Sequence, residues 1–146
     1  MWPRQGWWLD AHLMAALAVA LPVWLMMAAT FSHAMHAPAT LWAWLSLVVS
    51  QPALEECVFR GALQSPLLHL CAGRRLGRVT LANLLVTAVF VAMHLFNQPW
   101  VWALAVAGPS LVFGHLRERL DSIWPAVLTH AYYNLGFAVV AWQGRG

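Results

Sequence analysis

Six polar residues stand inside otherwise apolar stretches of this chain, several of them at helical spacing. They are Glu55, Glu56, Arg60, His94, His130 and Asn134. Carboxylates, imidazoles and amides are the side chains that exchange protons, activate water or stabilise a developing negative charge. An ionised carboxylate at bilayer depth costs about 3 kcal/mol on insertion scales, so it persists only where the protein uses or neutralises it. The pattern predicts a polar site built into an apolar interior.

Glu56 and Arg60 are expected to form an internal ion pair. They are four positions apart, so their side chains meet on one face of a helix. Opposite charges that meet in a low-dielectric interior neutralise each other. We therefore predict that this pair supports the site and fixes the helix, and does not carry out the chemistry itself.

Glu55 is expected to behave differently from its neighbour. It lies about 100° around the helix from Glu56 and is not stacked on Arg60. A carboxylate without a counter-charge in an apolar segment suits a group that takes and returns a proton. We predict a catalytic role for Glu55. The alternative is a protonated structural glutamic acid that is bonded to a backbone carbonyl.

The other polar groups fall in two further apolar stretches. His94 ends one of them, where a histidine alone is typical of an interfacial or hydrogen-bonded core position. His130 and Asn134 are four positions apart and share a helical face, and a buried Asn needs a partner. Because three separate stretches each contribute polar groups at membrane depth, we predict that they form one shared site.

The composition is typical of an integral membrane protein. Hydrophobic residues make up 62% of the 146 residues and charged residues only 9%, which falls outside the usual range of soluble proteins. The net charge of +3 does not indicate nucleic-acid binding, because the arginines lie between apolar segments, where topology signals belong. All eight basic residues are arginine, which favours a bacterial origin.

We predict an all-α fold, a polytopic transmembrane helix bundle of about five spans. The predicted spans are residues 9–31, 41–70, 80–96, 100–116 and 123–142. The second span is too long for one perpendicular crossing, and Pro52 is expected to kink or break it. Glu55 and Glu56 would then lie in the first turns after that break.

The distribution of arginines predicts the orientation. Arg4 and the loops at residues 74–78 and 117–119 carry the positive charge, whereas the loops at residues 32–40 and 97–99 are uncharged. The positive-inside rule makes the arginine-bearing side cytoplasmic, so the N-terminus is predicted to be cytoplasmic. Arg145 is predicted to lie on the other side of the membrane, and it is the one charge that disagrees with this orientation.

Three motifs appear in a fixed order along the chain. They are EExxxR at residues 55–60, FxxxH at residues 90–94 and HxxxN at residues 130–134. In this order they resemble the signature motifs of the CPBP (Abi) family, membrane glutamic proteases related to the type II CAAX prenyl endopeptidase. The resemblance covers residues 52–137, the motif core of what we interpret as one transmembrane catalytic domain, residues 1–146.

The resemblance implies a role for each of the six polar residues. Glu55 and His94 match the residues that hold and activate a water molecule. His130 and Asn134 match the pair that stabilises the oxyanion. Glu56 and Arg60 match positions that support the site. The resemblance thus assigns the catalytic work to four residues and requires no cofactor.

The implied activity is that of an intramembrane endopeptidase. Its substrate would be a membrane-embedded or membrane-associated peptide or protein, and its partners would include the lipid bilayer but no nucleic acid. The expected location is the bacterial inner membrane, as a multi-pass protein. The short chain is more similar to bacterial members that process peptides, bacteriocin precursors or C-terminal sorting tags than to the enzymes that act on farnesylated CAAX proteins.

Three other interpretations stay open at this point. A zinc-dependent intramembrane protease could use Glu55, His94 and His130 as ligands, although the sequence has no HExxH motif. A haem carrier could use His94 and His130 as axial ligands, which leaves the glutamates unexplained. A non-catalytic chaperone or immunity protein could keep the same scaffold without turnover.

Overall fold

Helices account for most of the computed structural model, which describes residues 5–31 and 35–144. The helices are α1 (Ala11–Phe31), α2 (a continuous helical run over residues 41–70), α3 (Leu81–His94), α4 (Trp100–Ala105), α5 (Ala107–Leu120) and α6 (Trp124–Gln143). A short 3-10 helix at Trp7–Leu9 precedes α1. Strands β1 (Arg75–Leu76) and β2 (Val79–Thr80) form a small antiparallel hairpin after α2. Apart from this hairpin, the all-α prediction is confirmed.

The hydrogen-bond pattern changes along α2. Its α-helical parts are Leu41–Leu45, Gln51–Glu56 and Ser65–Leu70, and its π-helical parts are Ser46–Ser50 and Cys57–Gln64. The backbone stays right-handed helical at every junction between these parts. Pro52 is the second residue after the first π-helical part, and a residue without an N–H disturbs the regular hydrogen-bond ladder. Of the predicted kink or break at Pro52, the break is not found, because the helix continues through this proline; the hydrogen bonding changes here, with Pro52 in the first turn of an α-helical part.

The predicted fourth span consists of two helices. α4 ends at Ala105 and α5 begins at Ala107. Pro109 lacks the N–H that would bond to the carbonyl of Ala105 in an unbroken helix, which accounts for the interruption. α5 also extends to Leu120, beyond the predicted end, and stops where Asp121 takes a left-handed conformation with φ 48°.

α6 lies at the centre of the helix packing. It contacts α1, α5 and the first half of α2, while α3 packs against α5 and the second half of α2. Tyr133 Oη on α6 donates a hydrogen bond to the carbonyl of Ala16 on α1 at 2.9 Å. Further along the same interface, a Cβ at Gly136 would overlap the indole of Trp24. The glycine thus allows α1 and α6 to approach closely.

Polar side chains lie between the helices and large apolar side chains face outwards, the reverse of the distribution in a water-soluble protein. Most of the buried polar and charged side chains lie between the helices: Glu56, Arg60, Gln64, Asn83, Thr87, Ser110, Thr129 and His130. Large apolar side chains face outwards, with Leu25 73% exposed and Trp42 80% exposed. An outer surface of this kind fits lipid, in which polar groups must find their partners inside the protein.

In the part of the chain that the structure describes, α1 is the one helix long and apolar enough to cross a bilayer. α3 is apolar but shorter. π-helical parts divide α2, and the break before Ala107 shortens the fourth predicted span. The five-span arrangement is therefore a prediction that helix lengths alone do not establish.

Several charged segments meet at one end of the bundle. Thr80 Oγ1 on β2 donates to Glu118 Oε1 on α5 at 2.5 Å, which joins the hairpin to the end of α5. Arg119 Nε lies 2.9 Å from Asp10 Oδ2, next to the start of α1. The hydrogen bond from Arg119 holds the pKa of Asp10 below its usual range. The predicted grouping of the arginine loops on one side agrees with these contacts, while Arg4, residues 32–34 and Arg145 lie outside the described residues.

Candidate active site

The two glutamates lie where α2 changes from α-helical to π-helical hydrogen bonding. Glu56 ends the α-helical part Gln51–Glu56, and the π-helical part Cys57–Gln64 follows. Such π-helical turns occur frequently at functional sites. Arg60 Nε donates to Glu56 Oε2 at 2.9 Å, and both side chains are fully buried. The predicted ion pair is therefore confirmed.

His130 binds to the second oxygen of Glu56. Its Nδ1 lies 2.8 Å from Glu56 Oε1, and the ring of Phe113 stacks on the imidazole at 4.7 Å with an interplanar angle of 17°. Because a carboxylate oxygen accepts, Nδ1 carries the hydrogen, and Nε2 is directed elsewhere. From the sequence, Glu56 was predicted to contact only Arg60. The bond between His130 and Glu56 was not predicted, because it depends on the packing of α6 on α2.

Glu55 has the free carboxylate oxygen of the site. Its Oε2 lies 3.9 Å from His130 Nε2, which is longer than a hydrogen bond. Among the described residues this Oε2 is buried and accepts no hydrogen bond, while the side chain as a whole is 33% exposed. This oxygen is thus a hydrogen-bond acceptor that the described residues leave unused.

The ring of Phe90 lies between His94 and His130. His94 is the last residue of α3, and its Nδ1 donates to the carbonyl of Phe90 at 2.8 Å. Its ring packs on Phe90 at 4.4 Å, and Phe90 lies 6.2 Å from the ring of His130. In the described part of the chain no hydrogen bond joins His94 to Glu55. The Nδ1 contact leaves Nε2 of His94 as the ring nitrogen with a lone pair.

Asn134 contacts the backbone of α2. Its Nδ2 donates to the carbonyl of Leu47 at 2.9 Å. The N–H of Gln51 bonds to Ser46, and Pro52 has no N–H, so the two helical donors that could reach the carbonyl of Leu47 are occupied or missing. Asn134 therefore satisfies a carbonyl that Pro52 leaves unpaired, and its second amide hydrogen remains for another acceptor.

A second group of buried polar residues surrounds Arg60. Arg60 Nη2 donates to Ser110 Oγ at 2.8 Å, and Ser110 Oγ lies 3.0 Å from Thr87 Oγ1. Sequence reasoning did not single out these residues. The four-residue spacing of Asn83 and Thr87 in an apolar helix was a signal, but small hydroxyl groups in helices commonly bond to their own backbone.

Metal ligation was one of the open alternatives for this site. Across residues 5–31 and 35–144, no three His, Cys, Asp or Glu side chains are arranged to hold a metal ion. Both oxygens of Glu56 are engaged, by Arg60 and His130. The described geometry thus joins Glu55 and Glu56 to His130, whereas the polar contacts of His94 and Asn134 are with the backbone carbonyls of Phe90 and Leu47.

Comparison with known proteins identifies the family. The family described as "Type II CAAX prenyl endopeptidase Rce1-like" matches residues 37–136, more than half of the chain, and this range includes the three motifs. Curated proteins and solved structures give no match. The resemblance seen in the motifs is therefore confirmed, and the chain belongs to the type II CAAX prenyl endopeptidase Rce1-like family, a family of membrane proteases.

Proposed function

We propose that this protein is a glutamic-type intramembrane endopeptidase that hydrolyses a peptide bond of a membrane-associated peptide or protein. The observation that carries the proposal is the position of Glu55, whose buried Oε2 accepts no hydrogen bond from the residues that the structure describes and lies 3.9 Å from Nε2 of His130. The adjacent Glu56 is neutralised by Arg60, so the two carboxylates have separate tasks. Glu55 is the one available as a base.

In the proposed reaction, Glu55 takes a proton from water as the water oxygen attacks the scissile carbonyl carbon. His94 helps to orient this water, because its Nε2 is a hydrogen-bond acceptor when Nδ1 donates to Phe90. The C–N bond of the tetrahedral intermediate then breaks, and the proton held by Glu55 passes to the leaving nitrogen. The products are a carboxylic acid and an amine, and Glu55 is again ionised.

His130 and Asn134 are proposed to stabilise the oxyanion. Because Nδ1–H of His130 is bonded to Glu56, His130 donates to the oxyanion only when Nε2 also carries a proton. Asn134 has one amide hydrogen left after its bond to the carbonyl of Leu47. A preorganised donor of this kind contributes about 3–4 kcal/mol of transition-state stabilisation.

The proposed setting is a lipid bilayer that several helices cross, with the N-terminus in the cytoplasm. The outward-facing apolar side chains and the grouping of arginine loops at one end support this arrangement. We place the protein in a bacterial inner membrane and propose bacteriocin precursors or C-terminal sorting tags as its substrates. No nucleic acid and no cofactor takes part in the proposed reaction.

The test is substitution of Glu55→Gln in the native membrane, followed by a search for a membrane-bound peptide that accumulates uncut. The purified variant in lipid vesicles is expected to lose turnover of that peptide by about 100-fold or more, because the base is lost. Asp121→Asn is the matched control, since Asp121 is a carboxylate with 63% side-chain exposure that pairs with Arg117 outside the site. Full turnover by Glu55→Gln contradicts the proposal.

The same purified protein also tests the alternative functions of a zinc protease and a haem carrier. We expect turnover to survive chelation and the purified protein to lack a Soret band. Stoichiometric zinc that is lost together with activity would establish a zinc protease. A cellular phenotype that survives Glu55→Gln, with no peptide accumulating, would establish a non-catalytic scaffold.

A further inference from the structure

A buried chain of hydrogen bonds leads from the catalytic residues to α5 and α3. We propose that Ser110 and Thr87 are positioning residues that hold the Glu56–His130 pair in place through Arg60. The consequence for turnover rests on the function proposed above, whereas the effect on His130 does not. Neither residue belongs to the three motifs.

Each link of this chain is buried. His130 bonds to Glu56 at 2.8 Å, and Glu56 bonds to Arg60 at 2.9 Å. Arg60 then donates to Ser110 at 2.8 Å, and Ser110 lies 3.0 Å from Thr87. Glu56, Arg60 and Ser110 are fully buried, and Thr87 and His130 are each 7% exposed. Water therefore does not readily replace a partner that is removed, and a half-satisfied buried network is costly.

Arg60 fixes the role of the Ser110 oxygen in this chain. A guanidinium group only donates, so Ser110 Oγ accepts from Arg60 and turns its own hydrogen to Thr87. Thr87 Oγ1 then donates to Asn83 Oδ1 at 3.4 Å, and Asn83 Nδ2 donates to the carbonyl of Leu111 at 3.0 Å. The chain thus ends on a backbone acceptor, and a Ser110 hydroxyl hydrogen directed at Arg60 would place two donors face to face.

Arg60 depends on Ser110 for its orientation. Its Nε is held by Glu56, but its Nη1 is buried without a hydrogen-bond partner in the described residues, and Phe90 lies 5.7 Å from the guanidinium carbon. The bond from Nη2 to Ser110 is therefore the polar contact that fixes the far side of the planar group. If Arg60 rotates, Glu56 loses its partner.

A shift of Glu56 affects His130 directly. Glu56 determines that Nδ1 of His130 carries the hydrogen and that Nε2 faces Glu55. The network also joins α2, α3, α5 and α6, so it sets their relative rotation at the depth of the site. Displacements of about 1 Å at a reacting group can reduce turnover by about 100-fold. Ser110 and Thr87 thus act on the reaction without touching the substrate.

The experiment measures the imidazole of His130 and turnover in the same variants. Ser110→Ala removes the acceptor of Arg60, and Thr87→Val removes the next hydroxyl while keeping the side-chain shape. We expect both to lower kcat by about 10-fold to 100-fold with little change in KM. Solid-state NMR of protein with 15N-labelled histidine, assigned against His130→Gln, should show one Nδ1–H signal for His130 in the unchanged protein and more than one environment for this nitrogen in the variants.

Two matched variants distinguish positioning from general destabilisation. Thr87→Ser keeps the hydroxyl, so its kcat and its His130 signal are both expected to match those of the unchanged protein. Thr129→Val removes an equally buried hydroxyl that donates to the carbonyl of Pro125, and it should leave both readouts unchanged. An unaltered His130 signal in Ser110→Ala and Thr87→Val overturns the proposal, even if both variants are less stable. If His130 changes in these variants but Glu55→Gln keeps full turnover, the network stands and the proposed protease function fails.

Discussion

At the scale of single residues, two identical neighbouring side chains acquire different roles from their partners. Glu56 is fully buried, and its two oxygens bind Arg60 and His130. Glu55 is partly exposed, and its buried Oε2 accepts no hydrogen bond from the described residues. Position on the helix decides the difference, since only Glu56 lies on the face that meets both Arg60 and α6.

The Glu56–Arg60 pair yields a prediction for stability. Glu56→Leu leaves a buried guanidinium without its counter-charge and is expected to cost about 3–5 kcal/mol of unfolding free energy. In the double variant with Arg60→Leu, much of this loss should be recovered, because no unpaired charge remains. Turnover should stay low in both, since His130 has lost the carboxylate that orients it. Thermal unfolding in detergent would measure the first effect, and equal stability of the single and double variants would contradict it.

At the scale of elements, Pro52 links the shape of α2 to Asn134. The π-helical part Ser46–Ser50 and the missing N–H of Pro52 leave the carbonyl of Leu47 to Asn134. A residue expected to stabilise the oxyanion therefore also completes the hydrogen bonding of a helix. This double role joins α6 to α2 beside the site.

A double-mutant cycle separates the two roles of Asn134. Asn134→Leu is expected to cost about 1–3 kcal/mol of stability, because a partly buried carbonyl is left unpaired. In a Pro52→Ala background the cost should be smaller, since residue 52 regains an N–H that can bond to α2 itself. Turnover should remain low in both backgrounds if Asn134 also serves the oxyanion. An identical stability cost with and without Pro52 would count against this account of the helix.

The interface between α1 and α6 depends on a glycine. Gly136→Ala is expected to cost about 1–3 kcal/mol, because the new Cβ overlaps the Trp24 indole and neither helix can easily shift. Gly108→Ala is the control, since it lies in α5 with nothing within 4 Å of the added Cβ. There we expect little change, because the helix preference of alanine is offset by the clash between a Cβ at position 108 and the ring of Pro109. The unfolding midpoint should therefore fall in Gly136→Ala and stay nearly constant in Gly108→Ala.

At the scale of the whole molecule, polar groups lie inside and apolar groups outside. The two described arginine-bearing segments meet at the same end, where β2 contacts α5. The start of α1 joins this end through Asp10 and Arg119. The positive-inside rule then predicts that this end is cytoplasmic.

The protein's own cysteines test the predicted orientation. Cys71 lies beside the arginine hairpin, where its carbonyl accepts from the N–H of Arg74 at 2.9 Å. In a Cys57→Ala background, a membrane-impermeant maleimide should label Cys71 in inverted vesicles and not in intact cells. Labelling from the outside alone would reverse the predicted orientation. Cys57, which lies within α2, should stay unlabelled from either side in a Cys71→Ala background.

The sequence allowed some of these features to be predicted and concealed others. The Glu56–Arg60 pair follows from local helical spacing, and the boundaries of α1, α3 and α6 follow from continuous apolar runs. Continuity of α2 through Pro52 was not predictable, because the partner that replaces its missing hydrogen bond lies on α6. The same holds for Ser110 and Thr87, which are far apart in the chain.

The sequence by itself determined that the fold is helical and which family the motifs resemble, and it predicted which residues would carry the chemistry. These depend on residue type and local spacing, which every helix imposes on its own side chains. Only the tertiary structure decided that Glu56 binds His130, that Glu55 keeps a free oxygen, and that His94 is one aromatic ring away from His130. These contacts depend on how helices that are distant in the chain pack and rotate against one another, and this depends on many side chains together.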